Sequence, residues 1–131
     1  ARDIQRLAGI HPEWQAIIIE ILKHLPMFVV EGVRTAERQH SLWLIGRNGN
    51  IGTIVTHRDG YVIRSNHQSR HDGFGYAVDC AFIGPDPFAP THDWLAYGAA
   101  VEAAGCVWGG RFKGLADLDH AELSENTIKT T

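Results

Sequence analysis

Residues 76–83 read YAVDCAFI, and this stretch decides the predicted fold. A short run of apolar and aromatic residues around a single aspartate is typical of a buried β-strand. Side chains alternate along a strand, so Asp79 should share its face with Ala77 and Ala81. Because those two neighbours are small, the carboxylate of Asp79 lies on a face that has room for another group.

Helices and further strands are predicted on both sides of this strand. Apolar spacings of three and four, with capping residues, predict helices over 12–25, over 36–45 after Thr35 as N-cap, and over 92–104 after Thr91. Short β-prone runs predict strands over 27–30, 51–56, 60–65, 106–108 and 119–123. The Asp59-Gly60 pair is a turn signal that predicts a hairpin over 51–65. Helices segregated from strands indicate an α+β fold, with about three helices packed on a mostly antiparallel sheet.

Length and charge limit the class of protein. The 131 residues suit one domain with its own core, and the sequence indicates no second domain. A net charge of −3 and the lack of a Lys/Arg cluster argue against a nucleic-acid partner. No uninterrupted run of apolar residues exceeds four, as at residues 16–19, far below the roughly 20 residues that span a bilayer. The first residues lack the basic start and the following apolar core that are typical of a secretory signal.

Histidines and carboxylates occur in three places that could form a metal site. His67 and His71 follow a predicted strand, Asp79 lies on the next strand, and the run 117–122 contains Asp117, Asp119, His120 and Glu122. Catalytic zinc is held by three protein ligands drawn from such residues, with a fourth position for water. The spacing alone is also compatible with a domain whose polar loops bind no metal. The two cysteines, Cys80 and Cys106, lack metal spacing, and we expect buried, reduced thiols.

Five ordered motifs resemble the M15 family of peptidoglycan peptidases. The motifs are residues 31–39 (EGVRTAERQ), 65–67 (SNH), 72–73 (DG) with 77–79 (AVD), 108–110 (WGG) and 117–123 (DLDHAEL). The resemblance runs from about His11 to Leu123 and implies a small D,D-peptidase or hedgehog-like fold. The family includes D-alanyl-D-alanine carboxypeptidases and L-alanyl-D-glutamate endopeptidases that phages use as endolysins.

The resemblance also implies a set of site residues. His67, Asp79 and His120 match the ligands of one Zn²⁺ per chain, and Asp117 matches the general base. Such a carboxylate can take a proton from water that zinc has activated. Arg34 matches a family arginine, which could stabilise the oxyanion of the transition state or hold a substrate carboxylate.

Two departures from the family pattern leave alternatives open. Asp79 comes 12 positions after His67, whereas the corresponding interval is seven in many members. His71 lies eight positions before Asp79, closer to that interval, and is therefore a rival ligand. His67 is preferred because Ser65 stands two residues before it, as in the family. Asp119 replaces a common proline and could orient a ligand, but strand alternation favours a side chain that points outward.

Four further residues are expected to support the site. Ser65 belongs to the first histidine motif, and Gln39 should organise the surroundings of Arg34. Glu122, on the same strand face as His120, could bind a ligand or a substrate group. Trp108, followed by two glycines, forms either a wall of the cleft or part of the core.

The expected function is that of a zinc metallopeptidase acting on the stem peptide of peptidoglycan, as an endolysin that cleaves the L-alanyl-D-glutamate bond. A D-alanyl-D-alanine carboxypeptidase is the alternative within enzymes, and a wall-binding or virion structural module is the alternative outside them. We expect residues 1–131 to form a single peptidase catalytic domain without a separate cell-wall-binding domain. The protein is expected to be a monomer with no nucleic-acid or membrane partner, made in the cytoplasm without a signal peptide and acting on the periplasmic wall.

Overall fold

One antiparallel sheet of four strands organises the computed structural model, which describes residues 2–47 and 49–124. The strands are β1 (Met27–Glu31), β2 (Ala77–Phe82), β3 (Val107–Trp108) and β4 (His120–Glu122). Their order across the sheet is β1-β2-β4-β3, and every pair is antiparallel. The predicted α+β fold with a mostly antiparallel sheet is therefore confirmed.

Four helices accompany the sheet: α1 (Arg2–Arg6), α2 (Pro12–Leu22), α3 (Ala36–Leu44) and α4 (Trp94–Ala103). The sequence predicted α2 and α3 closely, and Thr35 caps α3 by accepting a hydrogen bond from the Arg38 amide at 3.1 Å. Thr91 is not the cap of α4, because the Asp93 side chain accepts from the Ala96 amide at 3.1 Å. The helix consequently starts later than predicted, and α1 was not predicted.

The core lies between the sheet and helices α2 and α4. Trp14 and Ile18 of α2, with Tyr97 and Val101 of α4, have no exposed surface. All six residues of β2 are buried, which follows from its central position in the sheet. Both cysteines are free and buried, as predicted. In the described part of the chain, no helix has the length and apolarity to cross a membrane.

The predicted hairpin over 51–65 is wrong, because this segment contains no strand. Its carbonyl groups are bound by side chains of α3 and the turn after it: Gln39 donates to the Arg58 carbonyl at 2.8 Å, and Arg47 donates to the Thr56 carbonyl at 2.9 Å. The Asp59 carboxylate accepts from the amides of residues 61, 62 and 63. These bonds satisfy the backbone without a ladder, so the segment runs as a loop beside α3.

Strand register places two predicted ligands side by side. Asp79 in β2 lies directly opposite His120 in β4, so both side chains project from the same face. On the other edge of β2, Asp79 lies opposite Glu31, where β1 has an irregularity after Val29. The sheet thus gathers residues from three strands around Asp79.

Candidate metal centre

Three buried side chains meet on the face of the sheet that carries Asp79. Nε2 of His67 lies 3.2 Å from Oδ1 of Asp79 and 3.1 Å from Nδ1 of His120. The third side of this triangle, from His120 Nδ1 to Asp79 Oδ1, measures 3.4 Å. His67 is 2% exposed, Asp79 9% and His120 7%. The structure therefore brings together the three residues that the sequence proposed as ligands, and this group could hold a metal ion.

A tight turn presents His67 to the two strand residues. The Ser65 hydroxyl accepts a hydrogen bond from the His67 amide at 3.1 Å, and the Ser65 amide donates to Gln68 Oε1 at 2.9 Å. The Gln68 amide group in turn donates to the carbonyl of Gly60 at 2.9 Å. Ser65 thus acts on the backbone that carries His67, which accounts for a serine two residues before the histidine.

Both histidines have their second ring nitrogen occupied by an acceptor. Nδ1 of His67 lies 2.9 Å from the Gly32 carbonyl, and Nε2 of His120 lies 2.8 Å from Oε1 of Glu122. An acceptor at those atoms requires N–H there, which leaves Nε2 of His67 and Nδ1 of His120 as the ligand atoms. The other Glu122 oxygen accepts from the side-chain amide of Asn66. Glu122 is therefore bound on both oxygens and orients His120.

The carboxylates around His120 favour the positively charged form of its ring. Burial by itself would lower the pKa of His120, but hydrogen bonds to Asp79 and Glu122 raise it to about 10. Burial would raise the pKa of Asp79, yet attraction to His67 and hydrogen bonds with both histidines hold it well below its ordinary value. Glu122 is likewise held below its usual pKa by His120, against the effect of burial. A metal ion would take the place of the shared proton.

Arg34 is bound to three side chains at the edge of the centre. Its Nη2 donates to Oδ2 of Asp79 at 3.3 Å, its Nη1 to Gln39 Oε1 at 2.7 Å, and its Nε to Glu31 Oε1 at 2.5 Å. Only 10% of the Arg34 side chain is exposed. Asp79 therefore uses one oxygen for the histidines and the other for Arg34. Gln39, itself 1% exposed, organises Arg34 as expected.

Asp117 and Asp119 approach the centre from the turn before β4. One oxygen of each lies within 4.8 Å of the other and of an oxygen of Asp79. The outward orientation predicted for Asp119 is wrong, because β4 begins only at His120 and strand alternation does not extend back to Asp119. The Asp119 carbonyl accepts from the Cys80 amide at 3.0 Å. Burial and a hydrogen bond to Asp117 raise the pKa of the Asp119 carboxyl to about 9.

Trp108 and His71 stand apart from the ligand triangle. Trp108 is 3% exposed and packs in the core, where its Nε1 donates to the Leu118 carbonyl at 2.8 Å, so it anchors the 117–119 turn and is not a cleft wall. His71 is exposed on the loop after His67 and does not belong to the group of atoms that could hold a metal.

Three groups were missed by the sequence reading. Glu31 holds Arg34, the Gly32 carbonyl fixes the ring of His67, and Asn66 holds Glu122. Glu31 and Asn66 both lie inside quoted motifs, next to residues that received a role. A backbone carbonyl carries no signal in the sequence.

Two comparisons with known proteins agree with this centre. A family model described as D-alanyl-D-alanine carboxypeptidase, from the M15 peptidases, matches residues 63–123. This range includes the three candidate ligands and Asp117 but not Arg34. The crystal structure of the L-Ala D-Glu endopeptidase ChiX of Serratia marcescens is similar, with a TM-score of 0.64 and 26% sequence identity. The match covers 96% of this chain and 89% of that chain.

Proposed function

We propose that this chain, an M15 family metallopeptidase as the resemblance implied and the two comparisons support, cleaves peptidoglycan at the L-alanyl-D-glutamate bond of the stem peptide. The observation that carries the proposal is the buried triangle of His67, Asp79 and His120 with Asp117 beside it. The similarity to an L-Ala D-Glu endopeptidase over 96% of the chain supports the choice of bond. With an enzyme supported, the non-enzymatic structural module is set aside.

We propose Zn²⁺ as the ion, one per chain. Ligand atoms at about 2.0–2.1 Å from a tetrahedral zinc lie about 3.3 Å from one another. The three sides of the triangle measure 3.1, 3.2 and 3.4 Å, so the donor atoms already have the spacing that such a site needs. Two imidazole nitrogens and one carboxylate oxygen are also a donor set that zinc accepts. The ion would supply Lewis-acid activation of water and of the scissile carbonyl.

Asp117 is the proposed general base. Its carboxylate reaches the centre beside Asp79, where it can accept a proton from the attacking water and return it to the leaving amine. The hydrogen bond between Asp119 and Asp117 orients this carboxylate. The Asp117 amide donates to the Gly109 carbonyl at 2.9 Å, which fixes the turn from which Asp117 projects.

Arg34 is proposed to act in two ways. Three of its five N–H groups hold Glu31, Gln39 and Asp79, which fixes the guanidinium at the edge of the centre. The other two can donate to the oxyanion that develops on the scissile carbonyl or to a substrate carboxylate. A fixed donor costs no reorganisation when charge develops, which is the condition for efficient stabilisation.

A D-alanyl-D-alanine carboxypeptidase is the second candidate, since the matching family model carries that description. The same ligands and base would serve this reaction, and only the substrate pocket would differ. For either bond, we propose that the protein acts as a monomer on the periplasmic wall, and that its biological role is that of an endolysin.

Mass spectrometry of digested, purified peptidoglycan tests the proposal. Cleavage of the L-alanyl-D-glutamate bond leaves alanine on the glycan and releases peptides that begin with D-glutamate. Release of free D-alanine instead would indicate the carboxypeptidase. His67→Ala serves as the inactive control. A protein that binds no zinc at neutral pH, or cleaves no muropeptide with zinc present, would contradict the proposal.

A further inference from the structure

A polar cavity of about 510 Å³ lies beside the metal centre. Its walls are residues 64–71 other than His67, the loop that presents His67 to the sheet. Two arginines and a histidine, Arg64, Arg70 and His71, are among these residues, and none of them is acidic. The cavity is therefore positively charged and lined with hydrogen-bond donors.

Asn66 connects this cavity to the metal centre. It lines the cavity and donates to Glu122, which accepts from the His120 ring at 2.8 Å. Arg70 Nη2 donates to the Asn66 side-chain oxygen at 3.1 Å and thereby fixes the amide. Only two side chains thus link the cavity to a proposed zinc ligand.

Folding concentrates positive charge here that the sequence disperses. Residues 57–72 hold Arg58, Arg64 and Arg70 against Asp59 and Asp72, on a chain whose net charge is −3. The arginines are six residues apart, so no cluster is visible in the sequence. Both carboxylates keep their charge and offset part of the positive charge. Three backbone amides hold the pKa of Asp59 below its usual value, and the Tyr76 hydroxyl does the same for the pKa of Asp72. Folding brings Arg58 and Arg64 together, since Arg58 Nη1 donates to the Arg64 carbonyl at 2.8 Å.

Arg64 has the properties of an anion-binding residue. It is exposed, and its Nη2 donates to the Ser69 carbonyl at 3.2 Å, a neutral partner that positions the guanidinium without cancelling its charge. Planar guanidinium groups bind carboxylates through paired hydrogen bonds. Arg58 adds a second positive charge nearby, and its field also acts on Glu122.

We propose that this cavity is a subsite for a free carboxylate of the stem peptide, on the glutamate side of the cleaved bond, with Arg64 as the principal donor. The inference rests on the proposed function. A D-glutamyl residue joined to alanine through its amino group has two carboxyl groups, and at most one of them continues the chain. The cleaved peptide therefore carries a carboxylate close to the scissile bond, and the subsite favours substrates in which that carboxylate is not amidated.

The test compares Arg64→Gln with wild type on two synthetic stem peptides. In the first, the glutamyl carboxyl group that does not continue the chain is free; in the second, that group is converted to a primary amide. Wild type should cleave the carboxylate peptide with a KM roughly tenfold lower, and Arg64→Gln should abolish this preference with little change in kcat. Arg58→Gln should give a smaller shift in the same direction. Lys23→Gln removes one positive charge at the end of α2, outside the cavity, and should keep the preference.

Calorimetric binding of the D-glutamyl product peptide and its amide separates this inference from the proposed function. Wild type should bind the carboxylate form roughly tenfold more tightly, and Arg64→Gln should bind both forms equally. Absence of cleavage at the L-alanyl-D-glutamate bond would overturn the proposed function while the binding comparison still tests the subsite. Equal binding of both forms by wild type, or equal weakening of both by Arg64→Gln, would overturn the subsite.

Discussion

His120 donates from Nε2 to Glu122 at 2.8 Å while its Nδ1 faces Asp79 and His67. The two residues lie two positions apart on β4, so the strand itself places the carboxylate behind the ring. A carboxylate behind a ligand histidine fixes the ring orientation and raises its basicity. Glu122 is thus expected to act on metal affinity and not on the proton transfers of the reaction.

Glu122→Gln should weaken zinc binding roughly 10- to 100-fold while the domain stays folded. Glutamine keeps the shape and can accept from Nε2, but it lacks the charge. Competition with a chromogenic chelator measures the affinity. Glu102→Gln is the matched control, because Glu102 is exposed and paired with Arg111 at the surface. An unchanged affinity in Glu122→Gln would remove this role from Glu122.

His67→Ala should lose the metal, and His71→Ala should retain it. Nε2 of His67 forms one corner of the buried triangle, whereas the ring of His71 is exposed on the loop. Zinc content after dialysis, measured by mass spectrometry of the metal, distinguishes the two variants. The opposite pattern would make His71 the ligand.

Asp117→Ala should reduce turnover by at least about a hundredfold, the scale of general base catalysis, while zinc stays bound. The reason is that Asp117 lies beside the ligand Asp79 without belonging to the ligand triangle. Activity is measured on muropeptides and zinc content in the same preparation. Retained activity would transfer the role to Asp119 or Glu122.

In the metal-free protein, the His120 ring should be protonated on both nitrogens and positively charged at pH 8, because its pKa is raised from 6.5 to about 10. A raised pKa stabilises the folded state fully below about pH 6.5, and this contribution is lost as pH rises through about 10. Nitrogen NMR of the imidazole rings reports the protonation state directly. One equivalent of zinc at pH 8 should remove the proton. A neutral ring before zinc is added would be inconsistent with this arrangement.

Gly109→Ala should destabilise the fold by about 1–3 kcal/mol and reduce activity. A Cβ at this position would lie 2.4 Å from the Asp117 carbonyl oxygen and 2.8 Å from the His120 Cβ, so the 117–120 turn must move. Urea denaturation measures the stability. In Gly114→Ala the new Cβ meets nothing within 4 Å, so only backbone strain from its φ of +85° applies and activity should persist. Equal effects of the two variants would show that the close approach is unimportant.

The resemblance, carried by ordered motifs, implied His67, Asp79 and His120 as ligands, and the fold brings these three side chains together. Asp79 and His120 lie opposite each other in the sheet, and the strands that carry them were predicted from short apolar runs. The loop over 51–65 could not be predicted in the same way. Its apolar, β-prone residues resemble a hairpin, but side chains from Gln39 and Arg47, distant in the chain, bind its carbonyls. Such long-range bonds override local preference.

The orientation predicted for the Asp119 side chain was wrong for a related reason. Alternation is a property of paired strand residues, and the ladder between β2 and β4 ends at the Asp79–His120 pair. One residue earlier, the turn bonds the Asp119 carbonyl to Cys80 and Tyr97, which leaves the carboxyl facing Asp117. Strand boundaries read from sequence are uncertain by a residue or two, and here one residue decides which way a carboxylate points.

The wide spread of the ligands along the chain has a consequence for folding. His67 and His120 are 53 residues apart, and His67 and Asp79 are 12 apart, so the unfolded chain must close long loops to assemble the proposed ligand set. A zinc ion bound to this set would stabilise the folded domain by mass action, by about 2.7 kcal/mol when free zinc is a hundred times its dissociation constant. Removal of such an ion by a chelator should therefore make the domain easier to unfold and to digest with a protease.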